Sequence, residues 1–510
     1  MSTHTWNYDR AKKRIENAID KVREVIVTDY SRETSLENIP TNRAYRMDAV
    51  HMYADIKNLD EILNSSDIEG ERCHQRALRF LNQHYRAVHR ILNRCDAIRV
   101  DFHNQRLHSV VSKPYNSEKE AEKKRLQRVV AIGQLIIDVL AETSDDDEQI
   151  PAAKVRIGVD SGKALVVNNG RHGGREPLFL GDPANIAAKY SAGADVGIYL
   201  TANARQALGI KKAESPQVTS LTVAEIKECQ DAAALEVTKE IIIKEWREDL
   251  KNNPIGLFQF SGHTPPMRTL EIEALTPRNS RRQDQISVYA DIDGFTKYVA
   301  ANVDDNPEDV VRTLHVLRSE LDCVLSSDFE GRRIRFIGDC LHGVMCEGTA
   351  QTTKMQETIT DATLCAGGLR SSFELSLEQL KAEGCNTGQL GLAIGFEYGP
   401  TAITRLGMQR DMVRCCVSRA VLAAEREQIL CKGTETAIGA SAYSKATKAV
   451  RKIFEVDRIA KKLDYDETVQ RLAEEGDEKA NAAKSAFYAT TTPAIARQAQ
   501  QTLRPHTLLK

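Results

Sequence analysis

The sequence lacks the features of a membrane, secreted or nucleic-acid-binding protein. It has no apolar run near the roughly 20 residues that cross a bilayer, and it begins with MSTHTWNYDRAKKRIENAID, which is polar and unlike a signal peptide. Lys and Arg number 70 against 72 for Asp and Glu, so no overall positive charge attracts nucleic acid or an anionic membrane. We therefore expect a cytoplasmic protein without a nucleic-acid or membrane partner.

Cysteine is present but follows no ligand or disulfide pattern. The 11 cysteines are scattered, with one adjacent pair, Cys415 and Cys416, and no CxxC. The sequence therefore predicts neither a zinc site nor a disulfide framework. The composition is that of a globular protein, and 510 residues are enough for two or three domains.

Three segments occur twice at nearly constant separation, which indicates one domain present twice. The similar pairs are HMYADIKNLDEIL (51–63) with VYADIDGFTKYVA (288–300), AIRVDFHNQRLHSVV (97–111) with RIRFIGDCLHGVM (333–345), and VRIGVDSGKALVV (155–167) with LAIGFEYGPTAIT (392–404). Each copy mixes strand-like and helix-like segments, so we expect an α+β fold with an antiparallel or mixed sheet.

The repeats and the composition between them predict the domain boundaries. We expect a helix over 5–27 to pack on the first copy. The predicted segments are an N-terminal helix in 1–40, a first domain at 41–210, a helical insertion and linker at 211–284, a second domain at 285–454 and a helical tail at 455–510.

The stretch ISVYADIDGFTKYV predicts a strand that ends at an aspartate. Asp291 follows the apolar run, and Asp339 lies at the tip of a later predicted hairpin, so both carboxylates can face one side of the sheet. Together with the Ile292 carbonyl they would form an all-oxygen site for Mg²⁺ or Mn²⁺. On these residues alone, an N-cap aspartate and an ordinary Gly-Asp turn remain alternatives.

A glycine corner follows this strand. Gly294, Phe295 and Thr296 are predicted to open a helix. The first backbone N–H groups of a helix have no partner within it and favour a phosphate. The strand end therefore predicts metal and phosphate ligands side by side.

Together these segments resemble the class III nucleotidyl cyclases, the family of adenylyl and guanylyl cyclases. ADIDGFT and FIGDCLHGV are similar to the family's first and second metal motifs, and FLGDPANIAAK at 179–189 is similar to a third. The resemblance covers about 45–210 and 286–450. It implies two cyclase-like domains of the ferredoxin-like, or palm, type that form an internal pseudo-dimer.

The two copies differ in the motif residues. The second copy has both metal aspartates, whereas the first has Asp55 but Gln105 in place of the second one. Only the first copy has the third-motif residues Asn185 and Lys189. Because the family's catalytic sites lie between two domains, the resemblance implies one working site and an inactive mirror site.

The resemblance also implies a reaction. With two Mg²⁺ or Mn²⁺ ions bound, the ribose 3′-hydroxyl of a nucleoside triphosphate would attack its α-phosphate and release pyrophosphate. Asn185 would orient the ribose, Lys189 would stabilise the transferred phosphoryl group, and Arg410 would bind the terminal phosphate. The alternative for Arg410 is an ordinary surface arginine.

The base-reading positions depart from the family pattern. The first copy has Asp101 and Leu178 where adenylyl cyclases have a lysine and an aspartate. This makes ATP a poor substrate and favours the pyrimidine cyclases of bacterial antiphage signalling, with CTP ahead of UTP and a product, cyclic CMP, that a separate effector protein detects. Asp101 as a solvent-facing strand residue, a guanylyl or adenylyl cyclase, and a degenerate nucleotide-binding scaffold remain alternatives, and further oligomerisation stays open.

Overall fold

The structure is a computed structural model that describes residues 4–64, 70–144, 150–169, 177–408 and 411–484. In these ranges the chain forms two mixed sheets with helices packed on them, so the predicted α+β class is confirmed. None of the described helices is both long and apolar enough to cross a bilayer.

The first half contains one sheet and eight helices within the described ranges. Its strands are β1 (Ile26–Asp29), β2 (Arg43–Ile56), β3 (Ile98–His103), β4 (Arg106–Val111), β5 (Val155–Asn168), β6 (Pro177–Leu180) and β7 (Gly197–Leu200). Its helices are α1 (Tyr8–Lys21), α2 (Leu59–Leu63), α3 (Glu71–Arg94), α4 (Ala121–Leu140), α5 (Asp182–Ser191), α6 (Ala202–Leu208), α7 (Val223–Ala233) and α8 (Lys239–Asn252).

The second half repeats this arrangement. Its strands are β8 (Phe260–Ser261), β9 (Ser280–Asp293), β10 (Arg332–Ile337), β11 (Cys340–Met345), β12 (Gly391–Leu406), β13 (Val413–Val417), β14 (Glu435–Ile438) and β15 (Ile459–Lys461). Its helices are α9 (Phe295–Asn302), α10 (Pro307–Cys323), α11 (Met355–Ala382), α12 (Arg419–Leu430), α13 (Ala440–Lys445), α14 (Lys448–Phe454) and α15 (Tyr465–Glu474).

Over the described residues, each of the seven strands of the first sheet has a counterpart in the second sheet, which contains β15 in addition. The order is β3-β4-β2-β5-β6 in the first and β10-β11-β9-β12 in the second, where β13 also pairs with β12. A parallel strand joins each of the two central strands in both sheets: β1 and β7 in the first, β8 and β14 in the second. The two halves, which carry the repeated sequence segments, therefore also share one strand topology.

Helices cover both faces of the first sheet. Gly133 of α4 contacts Ile157, whereas Ala187 of α5 faces the next residue, Gly158. Neighbouring strand residues point to opposite faces, so α4 and α5 lie on opposite sides. A Cβ on Gly158 would lie 2.1 Å from the Ala187 carbonyl oxygen, and one on Gly395 of β12 would lie 2.7 Å from that of Ala424 in α12. Each half therefore needs a glycine where a helix crosses its sheet: α5 in the first half and α12 in the second.

The two halves share their cores. The core around α3, α4 and β2 includes Leu406, Cys415 and Leu422 from the second half. The core around α10, α11 and β9 includes Leu165 and Leu178 from the first half. Burial of apolar surface therefore stabilises the contact between the two halves as well as the fold of each half.

Both chain ends differ from the sequence-based expectation. The N-terminal helix α1 packs on α10 and α11 of the second half, not on the first copy as predicted, because its buried face (Ile15, Ile19) meets Val316 and Leu375. The predicted helical tail begins with β15, which pairs with β14 before α15 follows. The rest of that tail, 485–510, lies outside the described residues.

Candidate active site

Two aspartates of the second half approach each other at one end of its sheet. Asp291 lies in β9 opposite Ala393 of β12. Asp339 lies in the turn between β10 and β11, where Gly338 takes a φ of 61°. The Asp339 carboxylate accepts hydrogen bonds from its own N–H and from that of Ile292. The turn and the strand end thus bring together the two predicted metal ligands and the backbone of Ile292.

These two carboxylates oppose each other's ionisation. Burial and the charge of Asp293 raise the pKa of Asp291 to about 6. Burial and the charge of Asp291 raise the pKa of Asp339 well above its usual range. The charge of Arg318 opposes this rise in the pKa of Asp339 but does not outweigh it. A site with this excess of negative charge and oxygen ligands suits a divalent cation.

Two further side chains at this site were missed by the sequence reasoning. The Cys340 thiol hydrogen-bonds to Asp291, and burial raises the pKa of that thiol. Asp293 is exposed and accepts a 2.8 Å hydrogen bond from the Gly433 N–H. The signal for Asp293 was present, since residues two apart on a strand share a face and ADID places two carboxylates there.

A helix begins beside these carboxylates. Helix α9 begins at Phe295, after Gly294 with a φ of 83°. A Cβ on Gly294 would lie 2.9 Å from the Gln389 carbonyl oxygen, so this corner favours glycine. Phe295 is buried and Thr296 is half-buried. The first amides of α9 lack partners within the helix and are suited to a phosphate.

The third motif of the first half lies next to this helix. Asn185 and Lys189 belong to α5, which contacts α9 of the second half. Asn185 is half-buried, and Lys189 is exposed. Near the same junction, Lys163 of β5 lies 3.8 Å from Asp304, just after α9. The structure therefore brings the helix that carries Asn185 and Lys189 to the second half, although neither side chain is in direct contact with the two carboxylates among the described contacts.

The mirror position, which is the place in the first half that corresponds to Asp291, is surrounded by positive instead of negative side chains. Asp55, the counterpart of Asp291, pairs with Lys57 at 2.8 Å and lies opposite Arg106 and Arg156 in the flanking strands. The backbone carbonyl of Gln105 accepts from the Ile56 N–H at 2.9 Å, whereas in the second half the side-chain carboxylate of Asp339 accepts from the Ile292 N–H. One carboxylate thus faces three cations, so the mirror position does not suit a metal ion.

Ion pairs between the halves also close the mirror position. Arg106 donates to Glu425 of α12 at 2.8 Å, and Arg426 of α12 hydrogen-bonds to Asp60 of α2. Asp60 follows Asp55 by the same interval that separates Thr296 from Asp291, and Arg426 is the repeat counterpart of Lys189. Lys189 therefore occupies the position in α5 that Arg426 occupies in α12.

The predicted base-reading residues lie in the interface. Asp101 accepts a 2.7 Å hydrogen bond from Arg335 of β10, so it is not a solvent-facing residue. Arg335 is 1% exposed and also donates to the carbonyls of Phe102, at 2.7 Å, and Arg414. Leu178 is buried in the core shared with the second half. The sequence predicted Asp101 but not its partner.

The predicted phosphate ligand Arg410 lies outside the described residues. Its neighbours Met408 and Asp411 come after Leu406, at the end of β12 opposite the one that pairs with Asp291. The Asp411 carbonyl accepts a 3.0 Å hydrogen bond from Arg99 of the first half. No described contact brings this hairpin to the carboxylates.

Known proteins are similar to this chain in sequence and in structure. The family model for the adenylate and guanylate cyclase catalytic domain matches residues 279–462. A uridylate cyclase of Pseudomonas aeruginosa is 58% identical over 99% of this chain and 98% of its own length, and a uridylate cyclase of a Rhizobium species is 36% identical over 83% of each chain. A crystal structure of a class III adenylyl cyclase-like ATP-binding protein from Pseudomonas aeruginosa is 59% identical, with a TM-score of 0.91 over 92% of this chain and 100% of that one.

The chain belongs to the class III nucleotidyl cyclases. The predicted family resemblance is therefore confirmed, and it rests on a full-length relative as well as on the motifs. The family model covers only the second half, which is the half with both metal aspartates. In this cyclase the first half shares the strand topology of the second but differs from it in the charges around the motif aspartate.

Proposed function

We propose that this cyclase converts UTP into 3′,5′-cyclic UMP and pyrophosphate. The observation that carries the proposal is the pair Asp291 and Asp339, whose carboxylates lie close enough for Asp291 to raise the pKa of Asp339 despite the opposing charge of Arg318. The names of the two uridylate cyclases support uridine as the base. The predicted role in antiphage signalling, and the separate effector that would detect the product, stay predictions.

The choice of UTP revises the predicted order of pyrimidines, which placed CTP first. That order assumed that one of the two Asp101 carboxylate oxygens binds the exocyclic amine of cytosine. One of these oxygens is already bonded to Arg335, which reduces the acceptor capacity on which the cytosine argument depended. Uracil has a carbonyl in place of that amine and so does not need this acceptor.

The donor set of the second half fits two Mg²⁺ or Mn²⁺ ions. Asp291, Asp339 and the Ile292 carbonyl would hold them, because hard divalent cations prefer oxygen ligands and relieve the repulsion between the two carboxylates. Such ions lower the pKa of an attacking hydroxyl and neutralise triphosphate charge. The first amides of α9, with Gly294, Phe295 and Thr296, would hold phosphate oxygens.

The first half would complete the site. The Asn185 side chain would hydrogen-bond to the ribose and orient the 3′-hydroxyl toward the α-phosphate. Lys189 would place a positive charge beside the transferred phosphoryl group. Lysine supplies the charge but lacks the bidentate fork of an arginine. Contact between α5 and α9 supports this arrangement.

We further propose that residues 41–210 and 285–454 are the two cyclase domains of an internal pseudo-dimer, with 211–284 as an insertion and linker. The matching strand orders and the shared cores support this division. Only the site with Asp291 would be productive, because the mirror position is filled by its own ion pairs.

Product analysis tests the function directly. The purified chain is incubated with each of the four ribonucleoside triphosphates and Mn²⁺, and the products are identified by mass spectrometry. We expect cyclic UMP as the main product and none from Asp339→Asn. A main product of cyclic CMP would restore cytosine as the preferred base, and a purine product would overturn the pyrimidine proposal. Absence of any cyclic product from the folded chain would overturn the proposal that the chain is an active cyclase.

A further inference from the structure

A second cluster of potential metal ligands lies away from the cyclase site. His4, Glu347 and Asp361 each offer a ligand atom, and these atoms lie within 4.8 Å of one another. The His4 ring is 3.7 Å from Glu347 and 3.9 Å from Asp361. The cluster joins the start of the chain, the segment after β11 and the first turns of α11.

Each of the three residues is anchored by its surroundings. Two residues after His4, Trp6 donates to Ser372 of α11 at 2.7 Å and packs against Tyr465. The Glu347 backbone is fixed by Thr358, whose hydroxyl accepts its N–H at 2.9 Å. Asp361 belongs to the long helix α11. The three side chains are thus held in place by packed segments of the fold.

The buried Asp361 carboxylate of this cluster has one oxygen without a described hydrogen-bond donor, while Lys479 bonds to the other. The Asp361 side chain is 2% exposed, and its Oδ1 accepts no hydrogen bond from the described residues. Nδ1 of His4 is also buried without such a bond. Leaving a buried polar atom unsatisfied is costly, so both atoms point to a missing ligand.

The charges around the cluster leave an excess of negative charge. Three carboxylates, those of Glu330, Glu347 and Asp361, face one another around His4. Lys479 hydrogen-bonds to Oδ2 of Asp361, and Arg268 lies 3.6 Å from Glu330. These three carboxylates and two cations leave one formal negative charge uncompensated.

We infer that His4, Glu347 and Asp361 form a second divalent-cation site, separate from the cyclase site. One imidazole and two carboxylates are ligands that zinc accepts, with a fourth position left for water. His4 and Glu347 are partly exposed, which provides a path from solvent. The Lys479 ammonium, bonded to Asp361, competes with the cation for that carboxylate.

The test measures Zn²⁺ binding to the untagged full-length chain. Asp291→Asn and Asp339→Asn are combined in every protein to remove the metal ligands of the cyclase site. Binding is followed by calorimetry and by metal analysis after dialysis, with thermal melting as a check of the fold. His263→Ala, a partly exposed histidine outside the cluster, is the matched control.

We expect one bound Zn²⁺ per chain in the background protein and in His263→Ala. His4→Ala and Glu347→Gln should each weaken binding by roughly tenfold or more, because each removes one of three ligands. Lys479→Met should tighten binding by about tenfold, since it removes the competing positive charge.

A purely structural ion-pair network predicts a different result for Lys479→Met, which would then lower the melting temperature without affecting Zn²⁺. Zn²⁺ binding that survives in folded His4→Ala, or no binding in any variant, would overturn the second site. Neither result bears on the proposed cyclase reaction, because the cyclase site is disabled in every protein tested.

Discussion

The two halves of this cyclase share one fold but differ in charge at matched positions around one aspartate. The sheet registers align Asp55 with Asp291 and the positions around them. The first half has Lys57, Gln105, Arg106 and Arg156, whereas the second has Asp293, Asp339, Cys340 and Ala393.

This difference shows how a duplicated site can be kept or lost without a change of backbone. Burial raises the pKa of Asp55, but the charges of Lys57, Arg106 and Arg156 oppose that effect, so its charge is balanced within the protein. At Asp291 the neighbouring Asp293 adds to the effect of burial, and balance requires a cation from solution. The first half therefore satisfies its aspartate internally, and the second is suited to metal.

The largest effect should come from removing one carboxylate of the second half. Asp291→Asn or Asp339→Asn should lower the rate of cyclic nucleotide formation by at least about a thousandfold, because both carboxylates are needed to hold the metal ions. The matched variant Asp55→Asn should change the rate by no more than about threefold. Initial rates and thermal melts of all three proteins are compared.

This result would be contradicted in two ways. Near-normal activity of folded Asp339→Asn would remove the second half as the metal-binding half. A loss of rate in Asp55→Asn equal to that in Asp291→Asn would mean that both aspartates contribute to catalysis.

A smaller effect should follow from placing a first-half cation in the second half. Lys57, just after the end of β2, reaches Asp55 from two residues along the chain, so Asp293→Lys at the matched position should place an ammonium beside Asp291. We expect the apparent Mn²⁺ requirement to rise about tenfold, because the ammonium competes with the metal. The rate is measured against Mn²⁺ concentration.

Asp293→Asn is the control for this substitution, because it retains an acceptor for the Gly433 N–H. It should leave the Mn²⁺ requirement within about threefold of the original. An equal rise in both variants would mean that the Gly433 contact, and not the added charge, controls metal binding.

The smallest effect concerns acid stability. The first half buries the pair His51 and His108 at 3.2 Å, where the second has Ser287 and His342 at 3.1 Å. Burial lowers the pKa of His51 to about 3, so below about pH 6.5 the unfolded chain binds more protons at this residue than the folded one. Stability is therefore lost as the pH falls through this window.

His51→Ser removes one of these groups and copies the second half. The free energy of unfolding should then fall less steeply below about pH 6.5, by about 1.4 kcal/mol per pH unit. Urea unfolding at a series of pH values measures the slope, with Ser287→Ala as the control at the matched position. An unchanged slope in His51→Ser would show that His51 does not contribute to acid unfolding.

The sequence by itself was sufficient for the family, the α+β class and the residues at the strand end. A repeat with constant spacing aligns equivalent residues of the two copies, so the contrast between Gln105 and Asp339 was visible in the sequence. Strand periodicity and the glycine at 294 are local properties, which neighbouring residues in the chain specify. The proximity of Asp291 and Asp339 depends in addition on the pairing of β9 with β11, which lie far apart in the sequence.

Only the tertiary structure decided which surfaces meet. Helix α1 has an apolar stripe that suits either half, and packing alone places it on α10 and α11. The bond from Arg335 to Asp101, and the one from Arg106 to Glu425, join residues far apart in sequence. An amphipathic pattern shows that a face is buried but not what buries it, because the choice of partner depends on how all the packed surfaces fit together.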